Sequence, residues 1–349
     1  MQEDNYVVIG SNLFALTLTY YLAREQQDKE INLLLLNKGS IGKRKNIFAY
    51  PSIFLLPFTS KEYPLTQSMI SRSKELLEEI EINHRNIERK RMRLTLLFSE
   101  KDELYGKYLK YLESSSIPYF LPNAKELVTY YSFIKKLKHM KVIELVTQVY
   151  FDMKGLWDAY FQEVNELKNV KINTKEFSIK SWSSFRANKI FVTEPSFNLG
   201  NDLDYPYFTS VIFQFPVIQH FPSIVLMDVS KRQIIWRDFE GFLWSYNEGI
   251  LERDSNITKY KNKMLDNIKH SLKVNSLPVL DSVTSKTPSK FIIERIKERI
   301  YHIYIPKYLQ LILSPLIALE IAKLSKEKPN WGINDIEERL ELADTASLN

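Results

Sequence analysis

Residues 5–42, NYVVIGSNLFALTLTYYLAREQQDKEINLLLLNKGSIG, read as strand, tight turn, helix, strand. Tyr6–Ile9 is a short apolar run that stops at Gly10. Leu13–Arg24 carries its apolar residues at helical spacing. Ile31–Leu36 is apolar but for Asn32, the pattern of a strand buried on both faces of a parallel sheet. A βαβ unit of this kind can hold a dinucleotide diphosphate at its helix N-terminus, where unpaired N–H groups and the helix dipole meet.

The nucleotide fingerprint is altered within that unit. The motif asks for G-x-G-x-x-G/A and then an acidic residue where the second strand ends. This chain places Gly10, Asn12 and Ala15 at the three motif positions and Asn37 at the strand end. Gly10 supplies the tight turn, and Ala15 still lets helix and strand pack closely. Asn12 stands where a glycine would let the backbone approach a diphosphate. Asn37 can donate to a ribose hydroxyl but lacks the carboxylate. The plain alternative is an ordinary buried βαβ unit with no ligand.

Composition narrows the classes. A chain of 349 residues, 44% hydrophobic and 26% charged, is ordinary for a soluble globular protein and long enough for two domains or one two-lobed body. The net charge of +6 is a mild bias that argues little for nucleic acid. Without cysteine there is no disulfide, thiolate nucleophile or Cys-ligated metal. His84, His139, His220, His270 and His302 show no metal-ligand spacing, so no metal is expected. The polar start, MQEDN, is no signal peptide, and Leu309–Leu324 is too short and too polar to span a membrane. A cytoplasmic protein is expected, with the Lys- and Ile-rich, Cys-free composition of a thermophile. Glycine is scarce: 9 residues in 349, where about 7% is usual.

Farther along, Leu65–Lys90 reads as a helix ending in the basic cluster Arg85, Arg89, Lys90, Arg91 and Arg93. That cluster suits a solvated helix C-terminus; an anionic partner surface is the sharper alternative. Arg93–Ser99 and Val142–Tyr150 read as strands, and Lys101–Ser114, Asn123–Met140 and Lys154–Leu167 as helices. Short strands follow near 170–173, 177–180 and 187–193. Four evenly spaced strands between Thr209 and Tyr246 predict an antiparallel meander. Glu252–Val274 reads as a long helix, Leu277–Pro288 as irregular and Arg299–Ile305 as a strand. Ser314-Pro315 reads as N-cap and first residue of a last buried helix.

These elements in this order resemble the FAD-dependent oxidoreductases of the glutathione-reductase-like superfamily, in its D-amino-acid oxidase-like or flavin amine oxidase-like branch. The resemblance runs through VVIGSNLFALTLTYYLA (7–23), LLLLNKGSIGKR (33–44), GLWDAYFQEVNELKNVKINTKEFSIKSW (155–182), NKIFVTEPS (188–196), IIWRDFEGFLWSYNEG (234–249) and YIPKYLQLILSPLIALEIAKL (304–324). It implies an α/β chain: a Rossmann-like FAD/NAD(P)-binding domain from 1–60, 141–205 and 286–349, and an α+β substrate-type cap with an antiparallel sheet from 61–140 and 206–285. By resemblance, FAD would meet Gly10, Ser11, Asn12, Leu13 and Ala15 in the first turn. It would meet Asn37, Lys38, Gly42 and Arg44 after the second strand, and Thr193 and Ser314 farther on. Substrate would lie near Trp236, Arg237, Trp244 and Tyr246, with Arg237 gripping a carboxylate.

Four of those cofactor contacts depart from the family pattern. Asn12 and Asn37 are two. The strand end at Thr193 and the connection 306–314 both lack the family's glycines. Two functions are consistent with this. One is a fold relative with weakened or lost flavin binding, a non-catalytic subunit or scaffold that works with a protein partner or a second copy of itself. The other is an active, divergent oxidoreductase for an amine, amino acid or similar small substrate. No acid–base pair stands out.

Overall fold

A computed structural model describes residues 5–35, 67–85, 87–114, 117–134, 139–173, 187–193, 207–216, 224–238, 240–250, 257–272, 277–288, 292–305 and 310–328, with the short pieces 330–332, 334–336 and 338–340. The βαβ reading holds: β1 (Asn5–Ile9), α1 (Leu13–Glu25) and β2 (Glu30–Leu34) follow one another. β1 pairs in parallel with β2 and, on its other edge, with β6 (Lys189–Val192). Its side chains alternate: Tyr6 and Val8 join the core that contains the helices, while Val7 and Ile9 join a second apolar cluster with Leu34, Ile190 and Val192. Burial on both faces explains why β1 is apolar from Tyr6 to Ile9 and why β2 ends on consecutive leucines. The sheet is completed by β5 (Val170–Asn173), β12 (Ile292–Lys297) and β13 (Ile300–Tyr304). Its order is β12-β13-β6-β1-β2-β5, parallel except for β12 at one edge.

A second sheet has seven strands in the order β11-β7-β10-β9-β8-β3-β4. These are β3 (Arg89–Ser99), β4 (Met140–Phe151), β7 (Tyr207–Phe215), β8 (Ile224–Asp228), β9 (Gln233–Arg237), β10 (Leu243–Ile250) and β11 (Asp281–Pro288). All neighbouring pairs are antiparallel except β3 with β8. The expected meander holds for β8, β9 and β10; β7 does not pair with β8 but lies on the far edge of β10. β4, placed by its residue numbers beside the dinucleotide segments, pairs with β3 in this sheet.

One continuous core joins the layers. α1 is buried from Leu13 to Ala23 and lies against α5 (Met153–Glu166) and α7 (Gln310–Glu327). The same cluster takes in Leu94, Leu96, Val225, Trp236 and Trp244 from the second sheet. A smaller cluster on the other face of that sheet, with Leu97, Val211 and Ile235, is covered by α6 (Ile257–Ser271) and the region of α4 (Ala124–Tyr130).

Several expectations are corrected. α2 (Gln67–Asn83) ends before the basic cluster, so Arg91 and Arg93 stand on β3 and not on a helix end. The Arg93 guanidinium lies 3.7 Å from the buried Glu144 carboxylate and 5.7 Å from the Tyr130 ring centroid. The helix expected over Asn123–Met140 stops at Tyr130; Ile134 instead bridges to Leu272. The segment read as irregular contains β11. The last helix begins at Gln310, so Pro315 sits inside it and Ser314 is not its cap. The strand expected near 177–180 lies outside the described residues.

At the lower end of β6, Lys189 is 5% exposed. Its Nζ donates to the Ser325 and Lys328 carbonyls, at 3.2 and 3.1 Å, where α7 ends. Tyr6 Oη donates to the same Ser325 carbonyl at 3.2 Å. Burial pulls the lysine down to about 8, and Arg295 adds to the effect.

Candidate functional site

The C-terminal ends of β1 and β6 meet the N-terminus of α1, the place where an open parallel sheet binds ligands. Gly10 makes the turn, with φ at +157°. A Cβ built on Gly10 would lie 1.9 Å from Thr193 Oγ1, so only glycine fits beside that hydroxyl. The same Cβ would lie 3.3 Å from the Cβ of Ala15, which is the close helix–strand approach the third motif position provides.

Asn12 is the N-cap of α1. Its Oδ1 accepts the Ala15 amide at 2.9 Å, and its Nδ2 donates to the Thr193 carbonyl at 2.8 Å. Thr193 is 1% exposed and returns two bonds to β1: its N and its Oγ1 both donate to the Ile9 carbonyl, at 2.9 and 3.2 Å. The Ser11 carbonyl accepts Trp157 Nε1 from α5 at 3.0 Å, and the Gly10 amide donates to Leu34. The turn is therefore tied to β6, β2 and α5 by its own atoms.

A diphosphate on this motif uses first-turn amides of the helix. Here one such amide, on Ala15, is already satisfied by a side chain, and that side chain is held in place by Thr193. The turn therefore offers a diphosphate one first-turn amide fewer.

Of the other expected cofactor contacts, Leu13 is buried in the helix core and Ser314 is fully buried at the fifth position of α7. The Ser314 carbonyl accepts Thr17 Oγ1 at 3.4 Å, and its own hydroxyl has no partner among the described residues. Asn37, Lys38, Gly42 and Arg44 lie outside the described residues.

The expected substrate residues come together only in part. Trp244 lies directly across from Trp236, with ring centroids 6.3 Å apart and planes within 15°. Tyr246 shares their sheet face, and all three belong to the large core. Arg237 alternates to the opposite face, in register with Leu243, and its Nε donates to the Gly241 carbonyl at 3.2 Å. Asp238 is a residue the sequence reading passed over. Its Oδ2 accepts Trp244 Nε1 at 2.6 Å and its Oδ1 the Phe242 amide at 2.8 Å; burial raises its pKa. The DFEG turn was a signal for it, since an aspartate at a turn's start bonds the backbone that follows. Asn12 is likewise a residue type that caps helices, a role hidden by its place in the glycine motif, and nothing local announces Thr193 as its partner or Trp157 as the partner of Ser11. No group of three or more His, Asp or Glu among the described residues is placed to hold a metal.

Neither a protein-family model nor a curated protein matches the sequence. Solved structures do match the fold. L-proline dehydrogenase from P. horikoshii superposes with a TM-score of 0.67 at 14% identity over 93% of this chain and 94% of its own. Iminodiacetate oxidase from Chelativorans sp. BNC1 gives 0.71 at 12% over 93% and 96%. Glycine oxidase from Geobacillus kaustophilus gives 0.68 at 14% over 93% and 95%. The fold is therefore the two-sheet, Rossmann-containing fold of the amino-acid oxidases and dehydrogenases, as the resemblance in the sequence implies. At such identities the likeness speaks for architecture alone.

Proposed function

We propose that this chain is a non-catalytic relative of the flavin-dependent amino-acid oxidases. It keeps their architecture, has weakened or lost its hold on FAD, and serves as a cytoplasmic subunit or scaffold for a protein partner or a second copy of itself. The observation that carries this reading is the Asn12 cap: the Ala15 amide is bonded at 2.9 Å to a side chain that is itself pinned to Thr193. A diphosphate that takes the Ala15 amide must first displace the Asn12 oxygen from it. Purified protein is expected to be colourless and to take up no FAD on titration. A yellow protein with stoichiometric flavin bands overturns the proposal.

A second reading draws on the full-length likeness to glycine oxidase and L-proline dehydrogenase. On that reading the chain is an active oxidoreductase for an amine, amino acid or similar small molecule. FAD, when bound, would supply the hydride acceptor. The protein would contribute an aromatic wall at Trp236, Trp244 and Tyr246. The same spectrum decides between the two.

A further inference from the structure

The geometry points to a built-in latch between Asn12 and Thr193 that takes the place of a nucleoside diphosphate in holding the β1–α1 turn against the end of β6. This inference rests on the reading of a weakened flavin site given above, and it concerns how that site is closed.

The carboxamide does two jobs at once. Its oxygen caps the helix through Ala15 N at 2.9 Å, and its nitrogen binds the Thr193 carbonyl at 2.8 Å. A serine could cap but could not reach across with a second, donor atom. An aspartate could cap, but its carboxylate would face the Thr193 carbonyl with no proton to offer. A glycine would do neither and would leave the first-turn amide open to an anion. Asparagine is thus matched to the closed arrangement on both sides. Thr193 completes it from the other strand: its amide and hydroxyl both land on the Ile9 carbonyl. The hydroxyl lies 1.9 Å from where a Gly10 Cβ would stand. Gly10 is therefore required here by Thr193, whether or not a ligand binds. The motif's first glycine persists for an internal reason, while its second has become the latch.

Opening the latch exchanges fold stability for ligand affinity. Asn12→Gly removes both hydrogen bonds, yet glycine is itself well tolerated at a helix N-cap, so the variant is expected to fold. It frees the Ala15 amide and makes the turn responsive to the diphosphate of ADP or FAD. The test is the thermal midpoint of wild type, Asn12→Gly and Asn12→Ser, each with ADP or FAD up to millimolar concentration. Asn12→Gly is expected to melt below wild type without nucleotide, to rise on adding ADP or FAD, and to show an apparent affinity at least tenfold tighter than wild type. Asn12→Ser keeps the amide covered and loses only the tie to Thr193, so it is expected to melt lower with no gain in affinity. A folded Asn12→Gly that gains no affinity overturns the latch while leaving the proposed function standing. An Asn12→Ser that gains as much as Asn12→Gly also overturns it. Wild type that binds FAD as well as Asn12→Gly overturns both. Should Asn12→Gly fail to fold, Asn12→Ala uncovers the same amide and is read in the same way.

Discussion

Gly10 and Thr193 share one small volume, and their energetics are coupled. Gly10→Ala forces a Cβ onto the Thr193 hydroxyl, and overpacking of this kind costs about 1–3 kcal/mol. Thr193→Ala loses one hydrogen bond to Ile9, worth about 1 kcal/mol. The double variant is expected to lose less than the two single losses added, by about 1 kcal/mol, because the clashing oxygen is gone; denaturant unfolding of the four proteins measures it. Lys189 gives a second prediction. Its ordinary value is 10.5 and burial holds it at about 8. Between those values the unfolded chain keeps the proton and the folded chain releases it. Stability therefore rises with pH across that window, by up to about 1.4 kcal/mol per pH unit. Below the window the full penalty of burying the charge is present. Lys189→Met removes that slope, and comparing the two proteins across the window cancels the titration of the tyrosines.

α7 carries two local irregularities side by side. Pro315 inside the helix has no N–H for the Leu311 carbonyl, and Ser314 beside it buries a hydroxyl with no partner among the described residues. Ser314→Ala removes that unmatched group and is expected to leave the thermal midpoint unchanged or raise it, by up to about 1 kcal/mol of stability. The start of α7 also shows where sequence reading runs out. Ser-Pro is a good local start signal, yet the apolar residues before it, from Leu311, pack into the core and extend the helix backward through the proline. β11 shows the opposite case. Its sequence DSVTSKTP has no apolar alternation, and it is a strand only because β7 offers it a free edge. Signals carried within one element, such as the Gly10 turn, the apolar β2 run and the period of α5, were legible. Features that need two distant segments, such as the Asn12–Thr193 pair or the packing of Trp157 on Ser11, were not, because spacing along the chain does not encode them.

For the whole molecule, the decisive fact is that one apolar cluster runs from α1 through the inner face of the seven-stranded sheet. Trp236→Ala, which empties its largest fully buried side chain, is expected to cost about 3–5 kcal/mol. Because the cluster spans both sheets, far-UV dichroism and tryptophan fluorescence should report one coincident unfolding transition in wild type. Two separated transitions would show that the sheets fold independently. The short strand β6 bears on this as well. Its first residue grips the tail of α7 and the residue after its last closes the turn ahead of α1, so five consecutive positions staple both poles of the layer. An amine-acylating reagent near pH 8 would find Lys189 chemically ready but sealed away. Its labelling rate would then count whole-body openings of the fold, turning one side chain into a clock for how often the staple lets go.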